Sequence, residues 1–298
     1  MITAPDFSEQ IHVWLSSLDF QCALNQSENE TFSNLQVSKN GHLVLELKLV
    51  DIKAWDIGKA VSELNLYKIR QSELRKNGVH SVTLWEDLWT KKEDIVKSRI
   101  SSLLGISQTI PARLTKVTRI DKVTSINFLK NNHLQGSVSS KYQFGLYLPK
   151  QYFRILPADF HLDITSDNLL VAVATFSRPR IFPRADKPFR SYELIRFSNL
   201  LDMTVVGGIN KLLSAFCKEV NPDDIMTYVD LEWSDGKGYN KLGFEEISEK
   251  PPITFMLDTQ SNERFSLRNS NEDDHLIEIF NAGSLKFVKT IEKQSSGS

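Results

Sequence analysis

The stretch "GGINKLLSAFCKEV", residues 207–220, constrains this chain more than any other. Paired glycines open a strongly amphipathic helical pattern. Strand-like runs flank it, "YELIRFSNL" at 192–200 and "IMTYVDL" at 225–231. Helix and strand periods that alternate in this way place the chain in the α/β class. Further strands are predicted at 142–148, 169–177 and 244–247, with a helix over 123–133 whose apolar side carries Ile126, Phe128 and Leu129. A hairpin over 275–291, turning at Asn281, Ala282 and Gly283, closes the pattern. Residues 108–291 thus read as a mixed sheet of about six or seven strands covered by helices.

The first 107 residues form a different unit. A helix is predicted over 8–18, with Ser8 as N-cap and Ile11, Leu15 and Leu18 inward. Strands at 34–38 and 42–50 are joined by Lys39, Asn40 and Gly41, a hairpin signal. A helix over 61–76 stops at Asn77 and Gly78, followed by a strand at 80–85 and a helix at 92–104. Residues 292–298 read as a disordered tail.

With 298 residues and a formal net charge of −1, the chain has no global field drawing it to nucleic acid or membrane, so polyanion contact needs a local patch. Residues 177–193 supply one. Arg178, Arg180, Arg184, Lys187 and Arg190 oppose Asp186, and Phe182 and Phe189 are interleaved with them. Such a run suits a nucleic-acid backbone and an unstacked base; the alternative is a solvated crossover loop that binds a cofactor phosphate. Its prolines predict an extended loop. Cys22 and Cys217 lie far apart in apolar patterns, which fits reduced packed thiols rather than a disulfide or zinc site. The N-terminus lacks a basic segment followed by an apolar one, and no apolar run approaches a membrane span. The chain therefore reads as cytoplasmic.

Several polar residues are candidates for chemistry. Glu46 and Lys48 form an E-x-K on one strand, either an exposed charge pair or part of a metal site. Asp230 ends an apolar strand, where it caps a turn or orients a partner such as His133. Ser234 suits an N-cap for a short helix at 235–242. Tyr239 either packs on Phe244 or donates a proton. His133, at a helix end, either meets the dipole or takes a proton near neutral pH. Strand alternation puts Glu193 and Arg196 on opposite faces.

The order of the first unit, its "LVLELK" strand and "GVHSVTLWEDLWTKKEDIVKSRI" (78–100) resemble the very-short-patch-repair-type branch of restriction-endonuclease-like nucleases. That resemblance implies a carboxylate cluster holding Mg²⁺. Glu46 stands at the second acid, followed by Lys48, but Gln36 replaces the metal-binding Asp, and Asp51 falls on the other face unless the strand ends first. The implied domain is degenerate, gripping DNA without cutting it. An active homing-type nuclease using Glu46, Lys48 and Glu86 is the alternative.

In the second unit, "NHLQG", "YELIRF", "VVGGINKLL", "YVD" and the Y-x-x-x-G-F of 239–244 resemble the GNAT (N-acetyltransferase) fold, in particular GNAT-like domains of phage proteins similar to the Mom-type DNA-modification branch. The resemblance implies acetyl-CoA or another acyl-CoA as cofactor. Its pyrophosphate would lie on Val206, Gly207, Gly208, Asn210 and Lys211 at a helix N-terminus. The basic residue usual in that loop is missing, and Asn210 stands where related sequences have Ser. It further implies His133, Asp230 and Ser234 at the site, Tyr239 as the acid for the leaving thiolate, and Glu193 as a second base. The acceptor would be an amine on a nucleobase, with DNA or a modified nucleotide as partner, or on a small molecule.

Overall fold

The computed structural model describes residues 6–160, 166–184, 187–266 and 275–292; the tail from 293 on lies outside them. Composition suggests one cut after residue 107, but the chain passes between two compact units several times. Unit 1 takes residues up to 93 with 229–237 and 248–285, and unit 2 takes 94–228, 238–247 and 286 onward.

Unit 1 begins with α1 (Phe7–Ser16), capped by Asp6, whose Oδ1 accepts from the Glu9 amide at 2.8 Å. Ser8 is therefore not the cap; the acid two residues upstream takes that place. Asp19 turns left-handed (φ 60°) and sends the chain into β1 (Gln21–Asn25), a strand with no apolar alternation to announce it. β2 (Ser33–Lys39) and β3 (His42–Val50) follow, joined by Asn40 (φ 53°) and Gly41 (φ 77°). Two left-handed residues match the twist of the strands they connect. α2 (Ile57–Lys76), β4 (His80–Trp85) and α3 (Glu86–Leu103, kinked at Lys92) complete this part.

The sheet order is β1-β2-β3-β4, antiparallel except for the parallel pair β3/β4. Leu35 pairs with Leu47 and Val37 with Leu45, forming one fully buried apolar face. The other face is polar, with Gln36 opposite Glu46 and Asn34 opposite Lys48.

In unit 2, β5 (Gln108–Pro111), β6 (Lys116–Arg119) and α4 (Lys122–Asn132) come first. Asp121 caps α4 through the Thr124 amide at 2.8 Å. Phe128 and Leu129 are buried as expected, whereas Ile126 is exposed. β7 (Tyr142–Pro149), β8 (Asn168–Phe176), β9 (Arg180–Phe182) and β10 (Phe189–Asn199) are followed by β11 (Met203–Val206), α5 (Gly208–Val220) and β12 (Asp224–Asp230). A one-turn α6 (Lys237–Asn240) leads to β13 (Glu245–Lys250).

The remaining strands are β14 (Thr254–Asp258), β15 (Glu263–Ser266), β16 (Leu276–Phe280) and β17 (Ser284–Thr290). The main sheet of the second unit runs β13-β17-β12-β10-β8-β7-β6, with β9 on β10. This is the mixed α/β sheet the sequence predicts.

β16 and β17 are not a hairpin: β16 joins β14 and β15 in a small antiparallel sheet, and β17 joins the large one. A Cβ on Gly283 (φ 86°) would come within 2.4 Å of the Lys250 carbonyl, so this close approach, and not a two-strand turn, requires glycine here. The small sheet buries Leu257 and Ile279 against Phe32, Val50, Ala60 and Trp85.

The segment after β12 edges β4. The Thr83 amide donates to the Glu232 carbonyl at 2.9 Å, and the Trp85 indole donates to Glu232 Oε1 at 2.8 Å. Burial, with Asp230 adding to it, pushes the Glu232 carboxyl up to about 8. A group that holds its proton more tightly folded than unfolded favours folding below its ordinary range and loses that contribution as pH rises toward 8. Thermal unfolding should therefore show Tm falling between about pH 5 and pH 8. In Glu232→Gln, which keeps the acceptor for Trp85, that slope should flatten. An unchanged slope would remove Glu232 as its source.

Candidate active site

β10 carries the geometry that defines the candidate site. It pairs with β12 in parallel over three positions, Ser191/Asp224, Tyr192/Ile225 and Glu193/Met226. Beyond them the contact passes to a side chain, with Thr227 Oγ1 donating to the Leu194 carbonyl at 3.0 Å. At the same place β10 bulges against β8: Leu194 faces Phe176 and Arg196 faces Thr175, so Ile195 is an extra residue. The extra residue inverts the alternation. Glu193 and Arg196 therefore share a face, contrary to their odd spacing, and Glu193 acts electrostatically on Arg196, a guanidinium that burial lowers.

Arg196 Nε donates to the Gly136 carbonyl at 3.3 Å, and Ser198 on the same face donates to the Asn132 carbonyl at 2.5 Å. These bonds hold the end of α4 and the 133–136 loop over that face. His133 is half-buried there, and its Nδ1 accepts from the Gln135 amide at 3.1 Å. The neutral ring then carries its proton on Nε2, which makes that nitrogen a donor.

Tyr239, from α6, packs its ring on Phe244 and Phe287 at centroid distances of 5.4 and 6.1 Å. Its hydroxyl bonds Thr227, and burial pushes the phenol above its ordinary value. Because Thr227 gives its own proton to Leu194, the phenol is the donor to Thr227.

Asp230 and Ser234 belong to unit 1, where they shape the turn after β12. Asp230 Oδ1 accepts from the Glu232 amide at 3.0 Å, and Ser234 Oγ accepts from the Gly236 amide at 3.1 Å. The Ser234 bond is a turn within the loop and not the helix cap its position suggests.

At the start of α5, Gly207 is left-handed (φ 80°), and a Cβ on Gly208 would press on the Val205 side chain at 3.0 Å. Val206 and Asn210 are exposed. Lys211 is engaged by the carbonyls of Ala112 (2.9 Å) and Thr115, so it braces the helix on the preceding chain.

The E-x-K of unit 1 is not an exposed pair: Glu46 and Lys48 are both fully buried. Arg70, on α2, forks onto both Glu46 oxygens at 2.6 and 2.7 Å, and Gln36 donates to one of them at 2.9 Å. Lys48 meets Glu63 at 2.7 Å, the Phe32 carbonyl at 2.9 Å and Glu30 at 3.4 Å. Burial opposes ionisation of Glu63, but Lys48 and the amides of Thr31 and Phe32 outweigh it and hold the carboxyl low. A cleft of about 840 Å³ opens beside these groups.

A divalent cation does not fit them, because donors already face the carboxylates it would need. Among the described residues no three His, Cys, Asp or Glu side chains are placed to hold a metal ion. Asp51 lies past the end of β3 and accepts from the Lys53 amide at 2.7 Å, while Glu86 accepts from the Ile52 amide at 2.8 Å. Both close the turn and neither joins Glu46.

The basic run is a hairpin where a loop is predicted, since β9 pairs antiparallel with residues 189–191. Arg178, Arg180, Arg184 and Lys187 are exposed. Arg190 is half-buried and engaged by the Asn221 carbonyl at 2.6 Å and Asp223 at 3.9 Å, so its charge is largely offset. Both cysteines are half-buried free thiols that burial pushes up. No described helix is long and apolar enough to cross a membrane.

No protein-family model and no curated protein matches the chain. Among solved structures, about 60% of the chain is similar to nearly the full length of chains from acetyltransferase structures. The NatC complex bound to Gag peptide and CoA matches at 8% identity and TM-score 0.33, over 60% of this chain and 99% of that one. The histone acetyltransferase HPA2 and related acetyltransferase of Corynebacterium glutamicum matches at 12% and 0.34, over 61% and 98%. Arabidopsis thaliana NAA60 in complex with a bisubstrate analogue matches at 8% and 0.34, over 60% and 99%. At such values the description of the fold rests on its own strand order and register.

Arg70→Ala leaves the Glu46 carboxylate buried without its main partner. Since Arg70 is half exposed, the cost should be about 2 kcal/mol, read as a lowered midpoint in urea unfolding. Millimolar Mg²⁺ should shift neither that midpoint nor Tm; a clear Mg²⁺-dependent rise would show that the carboxylates rearrange around a cation.

Proposed function

We propose that the second unit is an acyl-CoA-dependent N-acyltransferase acting on an amine. The observation that carries this reading is the end of the β10/β12 ladder at Glu193 beside a bulge in β10, with the Tyr239 phenol bonded to Thr227 just beyond it. In this reading the two strands diverge beyond that point to admit an extended thioester, and the N–H groups at the start of α5 suit its pyrophosphate. The motifs of 133–136, 207–208 and 239–244 support the same reading through their resemblance to GNAT proteins.

Bound acyl-CoA supplies an electrophilic thioester carbonyl. Glu193 accepts the proton lost by the acceptor amine as its nitrogen bonds that carbon. It ranks above His133, whose Nε2 already holds a proton; His133 serves as a hydrogen-bond donor. Tyr239 turns its hydroxyl from Thr227 toward the sulfur and gives it a proton as the carbon–sulfur bond breaks. Its raised value keeps the phenol protonated at neutral pH. Asp230 and Ser234 serve by shaping the turn before α6. The amine on a nucleobase is the acceptor that the exposed Arg/Phe hairpin favours, and unit 1 is a metal-free accessory unit.

Calorimetry with acetyl-CoA should show saturable binding, and thiol release should require an amine. Glu193→Gln should lower kcat by about 10²- to 10⁴-fold with acetyl-CoA binding intact. Tyr239→Phe should lower kcat and leave the affinity for acetyl-CoA close to wild type. A chain that gives no heat with acetyl-CoA would end this reading.

A further inference from the structure

The hairpin made by β9 and the start of β10 has two unlike faces. Phe182 pairs with Phe189, and Arg180 pairs with Ser191, so these four residues share one face. The Arg184 guanidinium lies 3.8 Å from the Phe189 ring centroid, flat-stacking distance for a cation on an aromatic face. Phe182 is 50% exposed at a centroid distance of 6.5 Å from Phe189. The opposite face carries Ile181 and the internally bonded Arg190.

An exposed ring beside arginines offers a ligand an aromatic face and cations together. The bulge comes only after Leu194, so alternation keeps Phe189, Ser191 and Glu193 on this same face. Phe189 and Glu193 are four positions apart along the strand, about 13 Å. A ligand lying along the face from the hairpin therefore reaches the carboxylate within a few monomer lengths.

We infer that this face is a grip for single-stranded nucleic acid, with one base stacked on Phe182, phosphates on Arg180 and Arg184, and a neighbouring base delivered toward Glu193. The inference rests on the acyltransferase reading only for what happens at Glu193; the grip itself does not. A single strand fits better than a duplex because the ring needs an unstacked base face, which a duplex keeps inside. It fits better than an acidic peptide, which matches the charges but has no use for the ring. In a chain of net charge −1 the attraction is local, so affinity should depend on these few side chains.

Fluorescence anisotropy of a short labelled oligo-dT or oligo-dA strand, against a duplex of equal length, tests this with the full chain at about 50 and 200 mM salt. The single strands should bind more tightly than the duplex. Arg180→Ala with Arg184→Ala should weaken strand binding at least about tenfold at low salt and flatten the salt dependence. Phe182→Ala should weaken it about 5- to 100-fold with the salt dependence unchanged, and Phe182→Trp should restore it. Equal binding of duplex and strand, or variants that bind the strand like wild type, would overturn the inference. So would a double variant that loses acetyl-CoA affinity in a chain that never bound the strand, which would assign the arginines to a cofactor phosphate. Strand binding without acetyl-CoA binding would leave the grip standing and remove the acyltransferase.

Discussion

One extra residue in β10 determines what the second unit can present to a ligand. Without Ile195 as a bulge, strict alternation would send Glu193 and Arg196 to opposite faces. With it, the carboxylate, the guanidinium and the Ser198 hydroxyl line one face, and the end of α4 is tied down over them through Gly136 and Asn132. A bulge sharpens local twist as well as parity. The ladder between β10 and β12 ends at Glu193/Met226, and the next β10 carbonyl, Leu194, is met by the Thr227 side chain. The position of the phenol follows, because Tyr239 bonds to that same threonine.

Unit 1 solves a different problem. Its sheet turns a charged face toward α2, where isolated ions would be expensive. Each charge meets an opposite one at hydrogen-bond distance: Arg70 forks onto Glu46, and Lys48 has Glu63, Glu30 and a carbonyl around it. A guanidinium does here what a divalent cation would do in a metal site, neutralising a strand carboxylate, but it fills the donor geometry that a metal and its water would need. Gln36 fits this arrangement well: an amide can donate to Glu46, whereas a second carboxylate would repel it.

Much of the fold was legible because its signals are local. The Asn40-Gly41 turn, the stop at Gly78, the amphipathic 207–220 helix and the apolar strands of 142–148 and 169–177 depend on neighbours in sequence, and they appear where expected. The failures have two causes. Ser8 lost the cap to Asp6 two residues away, and the basic loop closed on itself as a short hairpin, so there a competing local partner won. The Asn281–Gly283 turn proved to be a crossing between two sheets, decided by strands distant in sequence. The candidate site behaves the same way. Glu193, Tyr239 and Gly207 were identifiable as residue types in context, but Arg70 gave no signal, since nothing in a helix pattern says which strand carboxylate it will meet. The bulge does leave a trace in "YELIRF": Leu194 and Ile195 are adjacent apolar residues, and passing over Ile195 restores strict alternation from Tyr192 to Ser198.

Residues 228–247 show why closeness in sequence misleads. Asp230, Ser234 and Tyr239 lie within ten positions, which invites one catalytic cluster, yet the first two are counted with unit 1 and the third with unit 2. Asp230 and Ser234 bond backbone amides two residues ahead, the local habit of short polar side chains at turns. Tyr239 has no such local partner and instead reaches Thr227 on a strand. Asp230 also acts electrostatically on Glu232, Arg75 and Arg264, all of unit 1. Glu193, whose amide bonds Ser177 and whose carboxylate shares a face with Arg196, and Tyr239 instead take their surroundings from residues of unit 2.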